Sequence, residues 1–214
     1  MIYKILLAIA FVLSLLVKKN SKFQLPWFRL FLFILVLVEL IVGPYVGKNF
    51  GNNTWVYNIL IILEVQYFSL MFYFHFRERN YSKKLLLGSF VISVGSILNF
   101  LFGQGFHAIN TISYNFGMCF VLFLIVIFFY NLIKSHEEYL LMTMPLFWLS
   151  IGVLLFYSAT FPLLVFLNTI INSELPLVAP LYSLLKIGNI FLSLSYIAVL
   201  LCPWIYKKQS IELS

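Results

Sequence analysis

The sequence predicts an all-α, polytopic membrane protein: one seven-transmembrane helix bundle with its N-terminus outside and its C-terminus in the cytoplasm. Three observations predict this class. Hydrophobic residues fill 63% of the 214 positions and charged residues only 10%, too few charges to cover a water-facing surface. The apolar residues fall in seven stretches. The loops between these stretches alternate between basic and nearly uncharged.

Each apolar stretch is read as one membrane span, because a spanning helix needs about 17 to 25 mostly apolar residues. The predicted spans lie near 2–17, 27–47, 55–76, 85–102, 114–133, 144–168 and 181–206. The first is short, but Lys18, Lys19 and Lys22 follow it without a small-residue cleavage site, which favours a retained helix over a signal peptide. Pro162 predicts a kink in the sixth span. Residues 1–214 therefore form a single membrane domain.

The distribution of basic residues predicts the orientation of the chain. Of the 14 lysines and arginines, only Lys4 and Lys48 lie at the predicted outer ends and only Lys186 lies well inside a span. The others cluster at the opposite ends, as the positive-inside rule requires for the cytoplasmic side. This bias also accounts for the net charge of +7, so we expect an inner-membrane location and no nucleic-acid partner.

Three charged residues inside the predicted bilayer define the candidate ligand-binding site. Glu39, Glu64 and Lys186 all fall in the outer half of their spans. An ionised side chain near mid-bilayer costs at least about 2.5 kcal/mol, so such residues usually face a partner or a wet cavity. Polar residues at similar depth extend the predicted pocket: Asn99, Tyr157, Tyr182 and Asn189. The alternative is a Glu64–Lys186 pair that only joins two helices.

The sequence does not predict an enzyme. It contains no aspartate, and its three histidines, His75, His107 and His136, lie at membrane edges without metal-ligand spacing. No G-x-S-x-G motif or comparable nucleophile arrangement is present. We therefore expect no catalytic residues, no cofactor and no metal site.

A resemblance to a family rests on three segments: Pro145 to Phe161, Glu64-x-x-Tyr67-Phe68, and Leu185-Lys186-x-x-Asn189. They resemble uncharacterised seven-helix membrane proteins of Bacteroidetes, which look like the membrane input modules of sensor histidine kinases. The resemblance implies a receptor-like role. The kinase core is absent from this chain, so the output would need a separate partner.

The expected function is therefore a receptor-like or sensory membrane protein that binds an unknown small-molecule ligand in its outer half and signals through a cytoplasmic partner. A small-solute transporter and a non-catalytic scaffold subunit remain alternatives. A more remote one is a retinal-binding protein, since Glu64 and Lys186 are similar to the counter-ion and Schiff-base lysine of microbial rhodopsins. Lys186 lies nearer its helix start than that lysine should, however, and the third span lacks the family's Arg and Asp.

Overall fold

A computed structural model of the chain describes residues 2–17, 25–134, 141–172 and 178–212, without the side chains of 162–172, 178–182 and 206–212. All regular structure in these ranges is helical. The α-helices are α1 (Ile2–Leu16), α2 (Phe28–Leu37), α3 (Gly43–Phe50), α4 (Thr54–His75), α5 (Ser82–Leu98), α6 (Thr111–Lys134), α7 (Pro145–Asn172) and α8 (Val178–Glu212). A short 3-10 helix, Leu141–Thr143, precedes α7.

The predicted all-α class is confirmed, and each apolar stretch is helical over most of its described length. Five helical stretches are long and apolar enough to cross a membrane: Phe28–Phe50, Thr54–His75, Ser82–Gly103, Thr111–Lys134 and Ser183–Ile205. Helix α1 and the part of α7 with described side chains, Pro145–Phe161, are shorter apolar helices. These lengths indicate a multi-pass membrane protein. The loop lysines Lys18, Lys19 and Lys22, and His136, lie outside the described residues.

Two π-helical segments interrupt the regular helices. Val38–Val42 joins α2 to α3, and Asn99–Gly103 extends α5. Each closes with a hydrogen bond between residues five apart, from Gly43 N–H to Val38 O and from Gln104 N–H to Asn99 O. Such widening disturbs the regular carbonyl pairing and is frequent at functional sites. Nothing in the sequence pattern predicts it.

The bundle packs around an aromatic core between neighbouring helices. Helix α8 lies against α7 and α1, and α6 lies against α4, α5 and α7. Within the core, the Phe31 and Tyr67 rings stack with centroids 3.9 Å apart, and Tyr196 meets Phe31 edge-on at 6.0 Å. This geometry couples α2, α4 and α8 through rigid side chains.

Glycines allow close approach where helices pack most tightly. A Cβ atom built on Gly152 of α7 would overlap the side chain of Ser195 on α8. On the same interface, a Cβ at Gly188 would lie 3.0 Å from the Phe156 ring. Small residues of this kind let membrane helices associate through direct backbone packing.

Arg29 binds the end of α1. Its Nε donates to Ser14 O at 3.0 Å and its Nη2 donates to Val17 O at 2.8 Å. The last carbonyls of a helix have no intrahelical partner and attract cations. Arg29 therefore fastens the start of α2 to the C-terminus of α1.

Candidate functional site

Glu39 lies on the first π-helical segment and contacts the N-terminal part of α1. Its Oε2 accepts a hydrogen bond from the Tyr3 hydroxyl at 2.9 Å and lies 3.6 Å from Lys4 Nζ. The same Nζ donates to the backbone oxygen of Glu39 at 2.7 Å. Lys4 thus balances the carboxylate charge and also satisfies a carbonyl in the widened helix.

Tyr57 of α4 packs against the same segment. Its hydroxyl oxygen would lie only 2.7 Å from a Cβ atom on Gly43, so glycine makes room for the ring. Tyr57 also interacts electrostatically with Glu39. The first π-helical segment is therefore held between α1 and α4 by polar side chains on both sides.

Glu64 lies deeper, in the middle of α4, and is partly buried. Its carboxyl interacts electrostatically with Glu39 and with three tyrosines from three other helices. We call these three the tyrosine cluster: Tyr114 of α6, Tyr157 of α7 and Tyr196 of α8. All three side chains are buried. Helices α4, α6, α7 and α8 therefore place ionisable side chains within electrostatic range of one another.

The hydrogen bonding of the tyrosine cluster is incomplete. The Tyr114 hydroxyl and Thr160 Oγ1 are 3.2 Å apart. The Tyr196 hydroxyl, on a residue only 1% exposed, has no hydrogen-bond partner in the described part of the chain. A buried polar group left unpaired costs about 1 to 3 kcal/mol. Since a phenol can both donate and accept, Tyr196 is equipped to hydrogen-bond a water or a ligand.

Asn99, a predicted site residue, belongs to a separate amide network at the predicted outer end. Its Nδ2 donates to Gln104 Oε1 and Ser113 Oγ, each at 3.1 Å, and also contacts Asn110 Oδ1. On the other side, Asn58 of α4 accepts the backbone N–H of Asn110 at 3.0 Å. The network joins the α5–α6 connection to α4, and Asn99 anchors the second π-helical segment within it.

The remaining predicted site residues lie on α8. Lys186 is exposed, and although both side chains are described, no ion pair joins it to Glu64. Asn189 donates to Leu185 O of its own helix at 2.9 Å. The Tyr182 side chain is outside the described residues. The structure therefore places Glu39 and Tyr157 each within electrostatic range of Glu64, whereas Lys186 is exposed and forms no ion pair with Glu64.

Sequence reasoning missed Lys4, Tyr114 and Tyr196. The sequence pattern assigns Lys4 only to a predicted outer helix end and does not pair it with Glu39. A usable signal existed, because Lys4 and Glu39 lie at comparable distances from the connection between α1 and α2. Consecutive antiparallel helices place such residues at equal depth.

The described residues contain no group of three or more His, Cys, Asp or Glu side chains that could hold a metal ion. Fold and site together define an all-helical, multi-pass membrane protein with a carboxyl and tyrosine site inside its bundle. Comparison with protein-family models, with curated proteins and with solved structures finds no match. The functional argument therefore rests on the chemistry of the site.

Proposed function

We propose that this chain is a receptor-like, sensory protein that binds a small polar molecule at Glu64 and signals through a separate cytoplasmic partner. In this proposal all seven helical stretches cross the inner membrane, with the N-terminus outside. A sensor histidine kinase is the candidate partner. The observation that carries the proposal is the buried Tyr196 hydroxyl, which is left unpaired in the described part of the chain and lies within electrostatic range of Glu64.

The chemistry of the site favours a ligand that donates hydrogen bonds, such as a small amine. Glu39 already has Lys4 as its counter-ion, whereas none of the described basic side chains pairs with Glu64. A carboxyl group beside phenol rings attracts an ammonium group through its charge and through the ring faces. Tyr196 would add a specific hydrogen bond.

The first π-helical segment offers a route from ligand to output. A cation bound near Glu64 would also attract the Glu39 carboxylate, because the two carboxyls lie within electrostatic range of each other. It would compete with Lys4 for the Glu39 carboxylate. Loss of the Lys4 contacts removes support from the widened segment, and its return to regular α-helix would rotate the outer half of the α2–α3 helix. A ligand shifts such an equilibrium by its difference in affinity for the two states.

Native mass spectrometry of the protein, purified from its own membranes in mild detergent, tests the proposal. We expect a stoichiometric small-molecule adduct in the wild type that is lost in Glu64→Gln and weakened in Tyr196→Phe. Glu78→Gln is the matched control, because Glu78 is exposed in the α4–α5 connection, beyond the end of the helix that carries Glu64. A clean apo mass for the wild type, or an adduct unaffected by Glu64→Gln, contradicts the proposal and leaves the scaffold alternative.

A small-solute transporter is the second candidate, favoured by the two π-helical segments. Transporter sites are often built where membrane helices are interrupted near polar side chains. Here the interruptions occur at Glu39 and Asn99. Uptake of amines into proteoliposomes that contain only this chain distinguishes the two functions, since a receptor binds the amine without moving it across the bilayer.

A further inference from the structure

The connection between α4 and α5 carries an unbalanced positive charge. Four exposed basic side chains lie in this connection and in the first turn of α5 that follows it: Arg77, Arg79, Lys83 and Lys84. Glu78 is the one acidic residue among them. Within the described residues, none of the four forms an ion pair. The positive-inside rule accounts for their side of the membrane, but it does not require them to adjoin a groove.

The start of α5 strengthens this positive field. Lys83 and Lys84 occupy its first turn, which contains no acidic residue, and Tyr81 provides no side-chain cap. The N-terminus of a helix has free N–H groups and a partial positive charge, so lysines are unfavourable there. A bound anion would relieve both the unmet N–H groups and the repulsion.

A groove leads from this charged end along α5 towards the bilayer interior. It has a volume of about 440 Å³ and is lined by Lys83, Leu86, Leu87, Phe90, Ser89 and Gln66. Gln66 of α4 closes its floor by donating to Ser89 O at 2.7 Å. The groove therefore combines a cationic mouth with a mainly apolar wall.

The face of α5 that points away from the bundle has little protein covering it. Only 17% of the α5 span is buried inside the structure, against 28% to 50% for the other four long apolar stretches. Leu87 and Phe90 are 63% exposed each. In a membrane this face would contact lipid, and the positive charge at its end would favour lipids with anionic head groups.

We propose that the groove between α4 and α5 binds one anionic phospholipid, with its phosphate at Lys83, Lys84 and the α5 N-terminus and an acyl chain along Leu86, Leu87 and Phe90. Charge complementarity favours this occupant, because basic residues at a membrane surface attract anionic head groups. The site is independent of the tyrosine cluster, so it stands or falls separately from the proposed function.

The test is a lipid titration of the full chain in mild detergent, followed by native mass spectrometry. Dioleoyl phosphatidylglycerol is compared with dioleoyl phosphatidylcholine, which has the same acyl chains and no net charge. We expect a single tight phosphatidylglycerol adduct. Since each basic side chain near a membrane surface contributes about a factor of five, the double variant Lys83→Gln/Lys84→Gln should bind it roughly thirtyfold more weakly.

Two further variants keep the result interpretable. Lys48→Gln removes an exposed lysine at the opposite end of the bundle and should leave binding unchanged. Leu86→Trp fills the groove while keeping every charge, so it should weaken the adduct even if the lysine variant folds poorly. Equal binding of the two lipids, no effect of either groove variant, or lipid-independent dimers through α5 would each overturn the proposal.

Discussion

The Lys4–Glu39 pair allows a quantitative test of how the first π-helical segment is stabilised. The perturbations are Lys4→Met, Glu39→Gln and the double variant. At their 3.6 Å separation the two charges attract by about 1 kcal/mol in water and about 5 kcal/mol at an effective dielectric constant of 20. The side chains are 30% and 17% exposed, which places the pair between these limits. We expect a coupling free energy of about 2 kcal/mol.

The single variants differ because Lys4 has two roles. Lys4→Met also removes the donor to the Glu39 carbonyl and should lower the free energy of unfolding by about 2 to 3 kcal/mol. Glu39→Gln should cost somewhat less, since a lone lysine near the predicted outer end can extend to water. The double variant should be about 2 kcal/mol more stable than the sum of the single effects predicts.

The assay is unfolding of the detergent-solubilised protein by a titration with sodium dodecyl sulfate. Unfolding is followed through the negative circular dichroism signal of α-helices near 222 nm. Lys48→Met serves as the control, since Lys48 is exposed and forms no ion pair among the described residues. If the single effects simply add in the double variant, the pair contributes no coupling. The argument that the pair of Lys4 and Glu39 side chains stabilises the π-helical segment is then refuted.

Two further predictions test packing and the amide network. Gly152→Ala should destabilise the bundle by about 1 to 3 kcal/mol in the same unfolding titration, because the added Cβ atom would overlap the Ser195 side chain. Gly95→Ala is the control and should be neutral or stabilising, because no atom lies within 4 Å of its added Cβ atom. Adding Ser195→Gly to Gly152→Ala should restore part of the lost stability. Asn58→Ala should speed hydrogen exchange in residues 104–110, because it removes the acceptor for Asn110 N–H, and unchanged exchange there would contradict the network.

The helices of this fold are largely readable from the sequence. A run of apolar residues has a visible length, and the helix starts at Thr54, Thr111 and Pro145 fall within three residues of the predicted spans. The π-helical segments are different, because tertiary contacts stabilise their hydrogen bonds between residues five apart. Lys4 of α1 donates to the backbone of the first π-helical segment, and no local sequence pattern around Glu39 predicts this contact.

The site was only partly predictable for a related reason. Residue number along a span gives depth, so Glu39, Glu64 and Tyr157 could be grouped before the structure was known. Rotation about the helix axis decides which residues meet, and in uniformly apolar helices no amphipathic stripe reveals it. This is why Lys186, at a suitable depth, lies exposed on α8 while Tyr196 of the same helix is buried in the bundle.

The glycine contacts between α7 and α8 also set the mechanics of the bundle. The Ser195 side chain fills the space where a Cβ atom of Gly152 would lie, and the Phe156 ring does the same at Gly188, so the two helices interlock at both positions. Sliding of one helix along the other would drive these side chains into the facing helix, so we expect α7 and α8 to move as one stiff body. Relative motion is then left to α5, which has the smallest buried fraction of the five long apolar stretches. We expect α5, the helix beside the lipid groove, to move relative to the α7–α8 pair, which moves as a unit.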